Sequence, residues 1–89
     1  MADSIHGITS IWNPYDKKFR AQMEKLRKEY TQFYVAVYDW DTEKAIIPTK
    51  ITELVTILPS IVIEYEDSWT LIPGLSLIKP IRNIIRNLK

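Results

Sequence analysis

The chain has 89 residues, 46% of them hydrophobic, and 12 basic against 11 acidic side chains leave a formal net charge of +1. A chain this short has one core, burying roughly 60 to 65% of its extended surface, and its charge balance excludes the strong overall field that would argue for nucleic acid or an anionic membrane. It contains no cysteine, which excludes disulfide staples, thiolate metal sites and thiol chemistry, so apolar burial must hold a single domain over residues 1–89.

The start, MADSIHGITS, lacks the basic and apolar regions of a signal peptide, and the uncharged run from Ile5 to Tyr15 is too short to span a bilayer. A cytoplasmic protein without a transmembrane segment is expected. After Gly7, the apolar Ile8, Ile11 and Trp12 predict a strand buried on both faces, and Pro14 ends it. Asn13 then reads as a helix N-cap with Pro14 at the first helical position. Phe19, Met23, Leu26 and Tyr30 recur at helical spacing, with Lys, Arg, Gln and Glu on the opposite face. The segment FYVAVYDW predicts a second strand from its aromatic and β-branched content, closing at the acidic loop DWDTE. Between Pro48 and Leu54 only a short helix is expected, because Thr49, Ile51 and Thr52 lower its propensity. Ser60 to Tyr65 and Ser68 to Ile72 predict an antiparallel hairpin turning at Glu66-Asp67. A last helix beginning near Ile78 places Ile81, Ile84, Ile85 and Leu88 on one face, with Pro80 in its first turn.

Three stretches resemble the thioredoxin-like family in its glutaredoxin-sized form. Trp12-Asn13-Pro14-Tyr15-Asp16-Lys17 is similar to the W-C-x-x-C-K loop at the head of that family's first long helix, with the Pro-Tyr centre typical of glutaredoxins. Leu58-Pro59-Ser60-Ile61-Val62-Ile63 is similar to the I-P-T step into the third strand, where the proline is cis, and Gly74 is placed like the glycine after the last strand. Asp39 or Asp41 falls where the family often has an aspartate. The resemblance implies an α/β thioredoxin-like fold of order β-α-β-(short α)-β-β-α, a four-stranded mixed sheet with helices on both faces. It also implies a cis Leu58–Pro59 bond and a groove in which the backbone of Leu58 pairs with an extended peptide. Trp12, Asn13, Tyr15 and Pro73 would wall that groove, with Pro14, Asp16, Pro59 and Gly74 beside them.

The family's chemistry needs a thiolate and a resolving thiol. Asn13 and Asp16 stand at those two places, and the first strand carries no acid for proton transfer. The expectation is a redox-inactive binding module, not an enzyme, with no catalytic residue and no cofactor, recognising a protein partner. In one alternative, Lys79, Arg82, Arg86 and Lys89 form a basic stripe on the last helix that meets nucleic acid or an anionic surface. In another, the scaffold holds glutathione for an enzyme, though such transferases need a further helical domain. Asp39, Asp41 and Glu43 lack the glycine and distal glutamate of a calcium loop and are expected to be solvated, with no metal. His6, with no Ser-His-Asp or Cys-His set available to it, is expected at the surface. Trp40 and Trp69 are expected to pack on the sheet.

Overall fold

The computed structural model describes residues 3–74 and 78–88. In chain order it forms β1 (Ser4–Thr9), α1 (Asp16–Glu29), β2 (Tyr34–Asp39), a 3-10 turn at Lys44–Ile46, α2 (Thr49–Leu54), β3 (Ser60–Tyr65), β4 (Ser68–Pro73) and α3 (Ile78–Leu88). The strands make one four-stranded sheet in the order β2-β1-β3-β4. β1 runs parallel to β2 and antiparallel to β3, and β3 and β4 are antiparallel. The parallel pair needs a crossover, which α1 supplies, while the β3–β4 hairpin needs only a tight turn. Glu66 takes that turn with a φ of 54°, the positive sign that two-residue hairpins require.

Because side chains alternate across a strand, the sheet has two different faces. Ile5, Val35, Ile61, Ile63 and Ile72 pack with Phe19, Met23 and Leu26 of α1 and with Ile81 and Ile85 of α3. On the other face Ile8 and Val62 pack with Ile47 and Ile51, and Tyr38, Trp40, Leu54, Val55, Leu58, Trp69 and Leu71 border them. Each fully buried aliphatic side chain contributes about 1.5 to 3 kcal/mol, so these two layers supply the stabilisation that no disulfide provides. Helices therefore cover both faces, and the fold expected from the sequence is the fold observed. Gly7 lets α1 lie close against β1, since a Cβ there would fall 2.8 Å from Met23 Cε and 3.0 Å from Phe19 Cε2.

Three expectations need correction. The first strand is Ser4–Thr9, not a run reaching Trp12; all six of its residues are buried, whereas Ile11 and Trp12 are exposed in the following loop. Its central place in the sheet buries polar residues that a hydrophobicity pattern leaves outside. His6 is accordingly not at the surface: it lies in β1 with 6% of its area exposed. The first helix begins at Asp16, with Tyr15 at the cap position, so Pro14 precedes it and Asn13 is not its N-cap.

Candidate functional site

The loop after β1 meets the loop before β3 at the end of the two central strands, where α1 begins. Ser10 starts the first loop: its hydroxyl is bonded to Asp41 Oδ2 and accepts the Trp12 N–H at 3.2 Å, while its carbonyl accepts the Asn13 N–H at 2.9 Å. Asn13 then uses both ends of its amide. Its Oδ1 accepts the Tyr15 N–H at 2.8 Å, the local turn that asparagine favours. Its Nδ2 donates to the Leu58 carbonyl at 3.0 Å, joining two loops distant in sequence.

The Leu58–Pro59 peptide bond is cis. The groove implied by the family would leave both polar groups of Leu58 open, but here Asn13 occupies the carbonyl. Among the described residues the Leu58 N–H has no hydrogen-bond partner. Asp16, expected beside the groove, turns inward. Its Oδ1 accepts Thr9 Oγ1–H and Arg20 Nε–H, each at 3.0 Å.

Asp39 was expected in a solvated acidic loop and is instead only 4% exposed. Oδ2 accepts the Ile11 N–H at 3.2 Å, and Oδ1 accepts the N–H groups of Asp41 at 2.8 Å and Thr42 at 3.3 Å. The Arg20 guanidinium, 4.0 Å from Asp39 and bonded to Asp16, links the two carboxylates. A buried carboxylate needs such partners, and these donors leave it committed to shaping the loop. No cluster of three metal-ligating side chains occurs among the described residues.

The surface around the Asn13–Leu58 contact is apolar. Trp12 is 80% exposed, and Ile11, Tyr15 and Ile57 are each more than half exposed. A cavity of about 320 Å³ is lined by Trp40, Val55, Thr56, Ile57 and Leu58, with Lys44 Nζ 4.5 Å from the centre of the Trp40 ring. Pro14 and Pro73 are exposed and Pro59 is buried. Gly74, with φ of 78°, borders Ile57, whose Cδ1 would lie 3.7 Å from a Cβ at that position. The structure thus brings Asn13, Leu58 and Pro59 together and rims them with exposed apolar groups, while Asp16 belongs to the network beneath. Asp39 and Arg20 went unrecognised in that supporting role, because neither spacing nor composition shows which loop acid becomes buried.

The basic stripe has a different setting. Arg82 makes a two-pronged ion pair with Glu29, Nη2 to Oε1 at 2.7 Å and Nε to Oε2 at 2.8 Å. Arg86 is exposed and lines, with Glu29, Tyr30, Arg82 and Ile85, a second cavity of about 350 Å³. Burial and the neighbouring Glu29 raise the Tyr30 phenol above its ordinary pKa, against the opposing charges of Arg82 and Arg86. The expectations for the side chains of Lys79, Leu88 and Lys89 lie outside the described residues.

No family model matches the sequence, and no curated protein does. Solved structures do match. A malarial protein superposes with a TM-score of 0.81 at 16% identity, covering 98% of this chain and 97% of that one. Thioredoxin O2 from Arabidopsis thaliana in its oxidised state gives 0.76 at 16% identity, over 99% of this chain and 76% of the thioredoxin. Mitochondrial thioredoxin 3 from Saccharomyces cerevisiae gives 0.75 at 19% identity, over 96% and 78%. At such identities the likeness speaks to the fold, and the fold is thioredoxin-like.

Proposed function

We propose that this thioredoxin-like fold serves as a redox-inactive binding module for an extended segment of a partner protein. With no cysteine in the chain, it has no thiolate of its own for disulfide exchange. The observation that carries the reading is the exposed set Ile11, Trp12, Tyr15 and Ile57, gathered on two loops that Asn13 ties together beside the cavity lined by Trp40, Val55 and Leu58. Exposed apolar groups concentrated in this way mark interaction sites, and a tryptophan free to be buried is a strong anchor.

Asn13 alters the mode of recognition. Full strand addition uses both the N–H and the C=O of the receiving residue, but the Leu58 carbonyl is already bonded to Asn13. A partner therefore gains one backbone hydrogen bond, from the Leu58 N–H, and takes most of its affinity from side chains entering the Trp40–Ile57 cavity and covering Trp12.

Peptide display on the folded protein tests this reading. Selected peptides are expected to carry an aromatic or aliphatic anchor, and their binding to be lost on Trp12→Ala and on Ile57→Asp while the circular dichroism spectrum is unchanged. Selections that yield no peptide sensitive to either change would sink it. The nucleic-acid alternative has less support, because Glu29 offsets the charge of Arg82 in the middle of the stripe. Low-salt titration with single-stranded and duplex oligonucleotides decides it, since binding through Arg82 and Arg86 must weaken steeply as salt rises. The glutathione alternative draws no support from Asn13, Leu58 and Pro59, which are uncharged.

A further inference from the structure

His6 stands in the middle of β1 with both ring nitrogens buried and without hydrogen-bond partners among the described residues. Its ring is stacked between Tyr38 of β2, centroids 6.1 Å apart and planes at 17°, and Trp69 of β4, at 6.3 Å and 19°. A neutral imidazole has one N–H and one lone pair to satisfy, and here neither is satisfied. Glu64 of β3 lies close by, its Oε1 3.8 Å from Nε2, beyond hydrogen-bonding distance. Glu64 and the Tyr38 phenol are the titratable groups that face His6 from β3 and β2, and β4 contributes the uncharged Trp69 indole. Burial holds the imidazole pKa below 6.5, while Glu64 pulls the other way.

Tyr38 and Trp69 border the same layer, around Ile8 and Val62, that Trp40, Val55 and Leu58 border. The aromatic stack and the floor of the groove therefore share one packed surface. Packed side chains shift between discrete arrangements more readily than they deform continuously.

We propose that His6 is a proton-operated latch on the groove: on protonation the imidazolium leaves the Tyr38–Trp69 stack to bond Glu64, and the layer beneath Trp40 and Leu58 loosens. The proton goes to the free ring nitrogen, both nitrogens become donors, and the carboxylate accepts one of them. Lowered pH then releases the partner segment. This last consequence rests on the binding reading above, whereas the latch itself is a property of the free protein.

Heteronuclear NMR of the free protein from pH 8 to pH 5 tests the latch. The His6 imidazole is expected to titrate below 6.5, with the Trp69 indole N–H and the backbone amides of 55–58 shifting at the same midpoint. His6→Phe and His6→Gln, one apolar and one polar without a proton equilibrium, should each abolish the shift at 55–58. Glu64→Gln should lower the midpoint and shrink the shift. Amides of 55–58 that stay still while His6 titrates, or that shift equally in both His6 variants, overturn the proposal. A display-selected peptide should bind more weakly at pH 5.5 than at pH 7.5 in the native protein, by less than about tenfold since one proton taken up below 6.5 drives the change, and alike at both in His6→Gln. If no peptide binds, the groove reading fails and the titration of the free protein still decides the latch.

Discussion

Asp39 gathers the backbone N–H groups of Ile11, Asp41 and Thr42 on one buried carboxylate. Asp39→Ala leaves those donors without it and is expected to cost about 1.5 to 3 kcal/mol, read as a lower urea midpoint, with Trp12 fluorescence changing as its loop loosens. An unchanged midpoint would show that water replaces the carboxylate. His6 gives a pH dependence of definite sign. Its folded-state pKa is lowered from 6.5, so between that lowered value and 6.5 the unfolded chain binds more protons. Stability is then full above pH 6.5 and falls as pH drops through the window. Urea midpoints at pH 7.5, 6.5 and 5.5 should decline in the native protein more than in His6→Phe, and equal slopes would refute the assignment. Neither role was legible from the residue alone: a lone histidine near the N-terminus and an aspartate among loop acids look solvated until strand pairing and loop closure bury them.

Helix α3 separates two neighbouring isoleucines by burial. Ile85 is 1% exposed and sits in the core with Ile81, whereas Ile84 is only partly buried at its border. Ile85→Ala is expected to cost about 2 to 5 kcal/mol and Ile84→Ala clearly less, both measurable by denaturant titration; equal losses would mean the helix is rotated from this placement. Where α1 meets β1, the close approach at Gly7 makes enlargement costly. Gly7→Val should destabilise by about 1 to 3 kcal/mol, since Phe19 and Met23 must both yield. At this scale the sequence was most readable: the apolar spacing of 19, 23 and 26 and the helix from Ile78 stand as expected, and the hairpin expected over 60–72 ends one residue later, at Pro73. The first strand was misread because SIHGIT owes its burial to neighbours on both sides, a long-range property that no local pattern of hydrophobicity carries. The start of α1 was misplaced for a related reason: the Asn13 side-chain oxygen accepts the Tyr15 N–H in a turn ahead of the helix, and its Nδ2 reaches the distant Leu58.

The described residues have a radius of gyration of 12.0 Å, close to the roughly 12 Å of a compact chain this long, so a structure without staples is as tight as its length allows. No helix among the described residues is long and apolar enough to cross a membrane. Whole-molecule chemistry can be tested by restoring what is missing. The native protein is expected to reduce no disulfide. Asn13 and Asp16 flank a tight turn, with Asp16 N donating to Asn13 O at 3.0 Å, which keeps their Cα atoms within about the 4.4 to 6.8 Å that a disulfide spans. Asn13→Cys with Asp16→Cys should therefore form an intramolecular disulfide under mild oxidation and show weak reduction of a small disulfide. A folded double variant whose thiols stay free would show that the loop holds another shape. Where a thiol pair would leave such a loop at the mercy of the surrounding reduction potential, here Asp16, Arg20 and Asp39 hold it by charge. Its shape should be indifferent to glutathione and peroxide alike and, with both carboxylates largely buried, change little with ionic strength.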